Sequence, residues 1–122
     1  MLDTRIILSG LWVATMLTYL WGDVLRIMAG DVTPGMLKED VPGTQKIWLF
    51  IAAIMLVPIV MVVLTLTLEY PAARWMNIVV AIIVIVFNLV GLPYKGAYDN
   101  FLIVVSFVFN AMVIWYAWQW VA

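Results

Sequence analysis

Four apolar runs of membrane length make up most of this 122-residue chain. They extend from about Ile6 to Met28, Ile47 to Leu68, Trp75 to Leu92 and Tyr98 to Val121. About 20 apolar residues carry a helix across the hydrocarbon core of a bilayer. Within that core every backbone N–H and C=O needs a partner inside the protein, so only helices and closed barrels cross it. A barrel is built from short strands that alternate apolar and polar positions. IAAIMLVPIVMVVLTL (51–66) and IVVAIIVIVFNLV (78–90) do not alternate. The expected fold is all-α: one four-helix transmembrane bundle over residues 1–122. Composition agrees, with 67% hydrophobic and 11% charged residues, against about 45–50% and about 25% in soluble domains. The N-terminal stretch has a single basic residue, Arg5, beside Asp3 and no small-residue cleavage site. It therefore reads as the first span and not as a cleaved signal.

The links between the runs set the topology. EYPAAR (69–74) and GLPYKGAYDN (91–100) are short and rich in turn formers, which makes the helices on either side antiparallel neighbours. GDVTPGMLKEDVPGTQK (30–46) is longer. Asp31 and Thr33 are plausible caps there and Pro34 suits a first turn, so PGMLKED is expected to form a short helix at the interface. Pro58 falls near the middle of the second run and is expected to kink it. Trp48, Trp75, Tyr94, Tyr98 and the closing IWYAWQW (114–120) stand at span ends, as an interfacial aromatic belt requires. Arg5 and Arg74 fall on one side, and Arg26, Lys38, Lys46 and Lys95 on the other. The positive-inside rule would place the larger group in the cytoplasm and both termini outside. Glu69 and Arg74 flank the tight second link and read as a solvated pair of small energetic value.

Several chemistries are excluded or lack a signal. The chain has no Cys, hence no disulfide or thiolate site, and no His, the commonest metal ligand and neutral-pH proton shuttle. No nucleotide-binding glycine loop, HExxH or acid pair of catalytic spacing is present. The net charge of −1, without a basic run, gives no reason to expect nucleic acid as a partner. No catalytic residue, metal or cofactor is expected, and the chain does not read as an enzyme.

Polar residues fall in stripes at helical spacing. Thr15, Thr18, Tyr19, Gly22, Asp23 and Arg26 share one arc of the first helix. Asn77, Ala81, Val84, Asn88 and Gly91 share a face of the third, and Asp99, Ser106, Asn110 and Ala117 a face of the fourth. Small and polar residues let membrane helices approach and hydrogen-bond, and they also line wet paths. Thr15, Thr18, Asn77, Asn88, Ser106 and Asn110 are therefore candidates for interhelical contacts or a path lining. Asn88 and Asn110 are expected to satisfy each other.

WGDVLR (21–26) carries the candidate polar or ion site. Asp23 and Arg26 are three residues apart, so they can meet on the helix surface. Twenty residues from Ile6 end near Leu25, where a long Arg side chain reaches water and anchors the helix. An acid that faced the bundle would instead read as functional. Asp99 opens the fourth helix, where the helix dipole favours a carboxylate. Antiparallel connectivity puts it on the same side as Asp23 and Arg26, and the three can converge.

LSGLWV, GDVLRIM followed by TPGML, VPIVMVVLT, RWMNIVV and IWYAWQW together resemble an uncharacterised family of small bacterial four-span membrane proteins, a domain of unknown function. The resemblance implies an integral protein of a bacterial cell (inner) membrane and brings no catalytic residue. Small multidrug-resistance transporters and fluoride channels share only the size and span count. The former carry a Glu in the first span, and here that span has none.

The leading expectation is a structural or accessory membrane protein that acts as a homo-oligomer or with a membrane-protein partner in the lipid bilayer. The alternative is a small homo-oligomeric transporter or channel for an ion or small solute. Asp23, Arg26 and Asp99 would form its mouth, and Asn88 and Asn110 would line its path. A third reading is a lipid- or quinone-binding membrane protein.

Overall fold

The computed structural model describes residues 3–31, 33–38, 41–92 and 96–121. It is an all-α bundle. Helix α1 is Thr4–Met28, α2 is Gln45–Met55, α3 is Val57–Thr67, α4 is Tyr70–Gly91 and α5 is Ala97–Gln119. Because α2 and α3 run on as one interrupted span, four helices among the described residues are long and apolar enough to cross a membrane. The Tyr94 and Lys95 of the expected belt and charge pattern lie outside the described residues.

Local chemistry sets the ends of α1. The Asp3 carboxylate accepts from the Arg5 N–H at 2.8 Å, satisfying one of the free donors of the first turn. At the other end the Gly30 N–H donates to the Ile27 carbonyl and the Asp31 N–H to the Arg26 carbonyl, with Gly30 at φ +78°. These are the two reversed bonds of a Schellman motif, which requires a left-handed residue that glycine supplies without strain.

The expected helix at PGMLKED is not formed. Gly35 takes φ +85°, incompatible with a helix. Met36–Lys38 (β1) instead pairs antiparallel with Val41–Pro42 (β2), closed by the Gly43 N–H on the Gly35 carbonyl at 3.0 Å. Glu39 and Asp40 lie outside the described residues. A proline-glycine pair is as good a turn as a helix start, and the left-handed glycine decides between them here.

The second span breaks at Leu56, two residues before Pro58. Proline has no N–H to offer the Ile54 carbonyl, and its ring crowds the preceding turn. The Leu56 N–H to Ala52 and Val60 N–H to Leu56 bonds persist, so the break is confined to that turn. Its consequence is unequal packing. Pro58, Met61 and Thr65 of α3 are buried, whereas α2 buries no residue.

Helix α1 lies against both α3 and α5, α5 also packs on α4, and α3 touches α4. The apolar core includes Leu8, Trp12, Met61, Ala81, Val113 and Ala117. It occupies the half of the bundle where α1 and α4 begin and α3 and α5 end. Ala81 and Ala117 let backbones approach, as small residues do between membrane helices. The outward faces are apolar too, with Leu49, Phe50, Phe101 and Val90 more than 60% exposed. Such a surface suits lipid and not water.

Candidate functional site

The two ends of the bundle differ. At the core end, two arginines close the helices. Arg5 donates to the Thr65 and Leu68 carbonyls at 2.8 and 2.6 Å, which ends α3, and stacks over Trp120. Arg74 donates to the Ala117 and Trp118 carbonyls at 3.0 and 2.8 Å, which ends α5, and stacks on Trp75 and Trp118. Each guanidinium thus meets helix C-terminal carbonyls, where the dipole favours a cation, and an indole face as well. Arg74 therefore forms no pair with Glu69 among the described residues. Its fork is committed to α5, which the tight link brings within reach. The Tyr70 hydroxyl donates to the Trp120 carbonyl at 2.7 Å and tightens the same end.

One level deeper sits a buried polar cluster. The Trp12 indole N–H donates to Asn77 Oδ1 at 2.7 Å, and Asn77 Nδ2 donates to Thr65 Oγ1 and the Ala73 carbonyl. It joins α1, α3 and α4. Asn77 was legible from its stripe, but Trp12 and Thr65 were not. The signal for Trp12 was a tryptophan in mid-span, where its N–H must find a partner. Thr65 had no signal beyond standing across the tight link from Asn77.

The opposite half is hollow. A cavity of about 470 Å³ opens between α1, the α2–α3 break, α4 and α5. Ile51, Met55, Pro58, Val84, Phe87 and Leu102 contribute apolar wall. The space lies beside the break before Pro58, where α2 buries no residue. Gly22 adds room on α1, since a Cβ there would stand 3.6 Å from Leu102 and 3.9 Å from Asp99.

Polar groups gather on the α1–α5 side of the cavity. Arg26 pairs with Asp23 one turn away and lies 3.6 Å from Asp99 Oδ2. The structure thus brings Asp23, Arg26 and Asp99 together beside the cavity, and all three line it. They are not equivalent. Asp23 is partly exposed and bonded to Arg26, whereas Asp99 is only 5% exposed. Asp31, held by the Schellman turn, accepts from the Tyr98 hydroxyl in the first turn of α5. Farther in, Asn88 Nδ2 donates to the Tyr19 hydroxyl and to the Val84 carbonyl at 2.8 and 2.9 Å. Tyr19 and Thr18 also line the cavity.

The remaining candidates divide by where their hydrogen bonds go. Thr15, Thr18 and Ser106 bond carbonyls of their own helices, Leu11, Ala14 and Ile103. They therefore contribute small polar packing surfaces and, among the described residues, no interhelical hydrogen bond. The expected Asn88–Asn110 contact is absent. Asn88 lies three residues from the end of α4, and Asn110 thirteen from the start of α5. At ~1.5 Å per residue their depths differ by roughly 15 Å. Asn110 is fully buried, and among the described residues neither Oδ1 nor Nδ2 has a hydrogen-bond partner. It does not line the cavity.

Among the described residues no group of three metal-ligating side chains converges. The arrangement offers an apolar chamber with a charged rim. No curated protein and no solved structure matches the chain. One family model does match, over residues 3–121, taking in both the arginine-closed core and the cavity: the chain belongs to DUF6326, a family of unknown function.

Proposed function

We propose that this is a multi-pass protein of a bacterial cell membrane that holds a small amphipathic molecule inside its bundle. The cavity of about 470 Å³ beside Arg26, Asp23 and Asp99 carries the reading. Its volume is that of an ordinary small-molecule pocket, about 300–1,000 Å³. Its walls are apolar and its few polar groups sit on one side, so an elongated ligand has one orientation that suits both. This places ligand binding ahead of a purely structural role and ahead of a conducting path. A path would have to pass the Trp12–Asn77–Thr65 cluster and the Arg5 and Arg74 caps.

The test is native mass spectrometry of the protein released from lipid nanodiscs. A bound small molecule is expected on the wild type and on Gly22→Ala, whose Cβ has ordinary contacts. It should be lost from Gly22→Leu, which projects into the cavity. A folded wild type that carries no molecule and takes up no added alkyl compound defeats the reading.

Assembly with a second copy or a membrane partner is a companion reading, favoured by α2. That helix buries no residue. A neighbour laid along α2 would bury the face it leaves open. The same spectra give the native mass, and a strict monomer speaks against a homo-oligomer.

A further inference from the structure

We infer that the occupant of the cavity is a lipophilic cation: an amine or quaternary onium with an apolar tail. The inference rests on the ligand-binding reading above and adds the sign of the ligand's charge.

The first ground is the state of Asp99. Its carboxylate is 5% exposed, lines the cavity, and among the described residues has one charged partner, Arg26, at 3.6 Å. That is beyond hydrogen-bonding distance. A buried carboxylate normally has its oxygens hydrogen-bonded or closely paired. Among the described residues the Asp99 carboxylate has no hydrogen bond, and its ion pair is the 3.6 Å one to an Arg26 already bonded to Asp23; the space beside it is the cavity.

The second ground is the charge balance. Arg26 is bonded to Asp23 and faces Asp99. Among the described residues Arg26 is the cation within ion-pair distance of Asp23 and Asp99, so one guanidinium serves both carboxylates, and Asp31, bonded to Tyr98, adds a third carboxylate at the same end. An anionic headgroup would have to draw Arg26 from Asp23 and then sit beside the carboxylates. A neutral head would leave Asp99 as it is. A cation supplies what Asp99 lacks without disturbing the Arg26–Asp23 pair.

The walls fit the same chemistry. Tyr19 and Phe87 line the cavity, and aromatic rings attract cations at their faces. Ile51, Met55 and Leu102 provide apolar surface for a tail. An onium group is also more weakly hydrated than a compact metal ion, and the dry wall costs it less.

The experiment compares three probes that share a tail and differ in the head: decyltrimethylammonium, decanol and decanoate. Their binding to the full chain in nanodiscs is measured by native mass spectrometry over a concentration series. The cation is expected to bind at least tenfold more tightly than the alcohol, and decanoate least. Asp99→Asn should reduce cation affinity to that of decanol and leave decanol itself unchanged. Arg26→Gln should raise cation affinity several-fold by removing the competing charge, so the inference stays testable if Asp99→Asn does not fold. Equal affinity for all three heads, or preference for decanoate, overturns the inference while the binding reading stands. If none of the three binds to folded protein, both fall.

Discussion

The Trp12 indole N–H points at Asn77 Oδ1 from 2.7 Å away, and both side chains are fully buried. A second buried asparagine, Asn110, makes no side-chain hydrogen bond among the described residues. The two make a matched contrast in one bundle. Asn77→Ala removes bonds to Trp12, Thr65 and Ala73 and leaves a buried indole N–H unpaired, so it is expected to destabilise by roughly 1–3 kcal/mol. Asn110→Leu replaces an unsatisfied amide by an apolar group of similar shape and is expected to be neutral or to stabilise by about 1 kcal/mol. Reversible unfolding in mixed micelles measures both. Equal losses at the two sites would mean that Asn110 has a partner.

The arginine caps give a second comparison. Arg5→Ala and Arg74→Ala each uncover carbonyls at a helix end and remove a cation from an indole face. Each is expected to cost about 1–2 kcal/mol. Arg74→Lys should recover only part of this, because an ammonium does not reproduce the fork that spans Ala117 and Trp118. Thermal melts of the variants in one detergent test the order. Full rescue by lysine would reduce the cap to a simple charge effect.

Pro58 is expected to hold the cavity open. Pro58→Ala returns an N–H to the Ile54 carbonyl and lets α2 and α3 join as one helix. The span should gain helical stability while probe uptake falls several-fold. Circular dichroism reads the first and native mass spectrometry with decanol the second. A variant that binds as the wild type does would show that the hollow comes from another cause, such as Gly22.

Topology is accessible because the chain contains no Cys. Single cysteines at Glu69 and at Asp31 stand at opposite ends of the bundle. The positive-inside rule places Arg26, Lys38, Lys46 and Lys95 in the cytoplasm. An impermeant maleimide added to intact cells is therefore expected to label Glu69→Cys and spare Asp31→Cys. The reverse pattern would invert the orientation, and equal labelling of both would indicate dual insertion.

The sequence by itself determined four helical spans, since lipid admits no other way to pair the backbone of runs this apolar. It also placed the break in the second span near Pro58, because proline's missing N–H is a local fact. Connectivity alone allowed Asp23, Arg26 and Asp99 to meet, as antiparallel links put the end of α1 beside the start of α5. Depth and rotation were not local. They separated Asn88 from Asn110 by about three helical turns, gave Asn88 to Tyr19, and set Trp12 on Asn77. The turn at Gly35 was settled by a backbone angle that the proline-glycine pair permits but does not impose. The hollow half of the bundle belongs to tertiary structure entirely. It lies where α2 buries no residue, and an unfilled space leaves no periodicity in the residues around it.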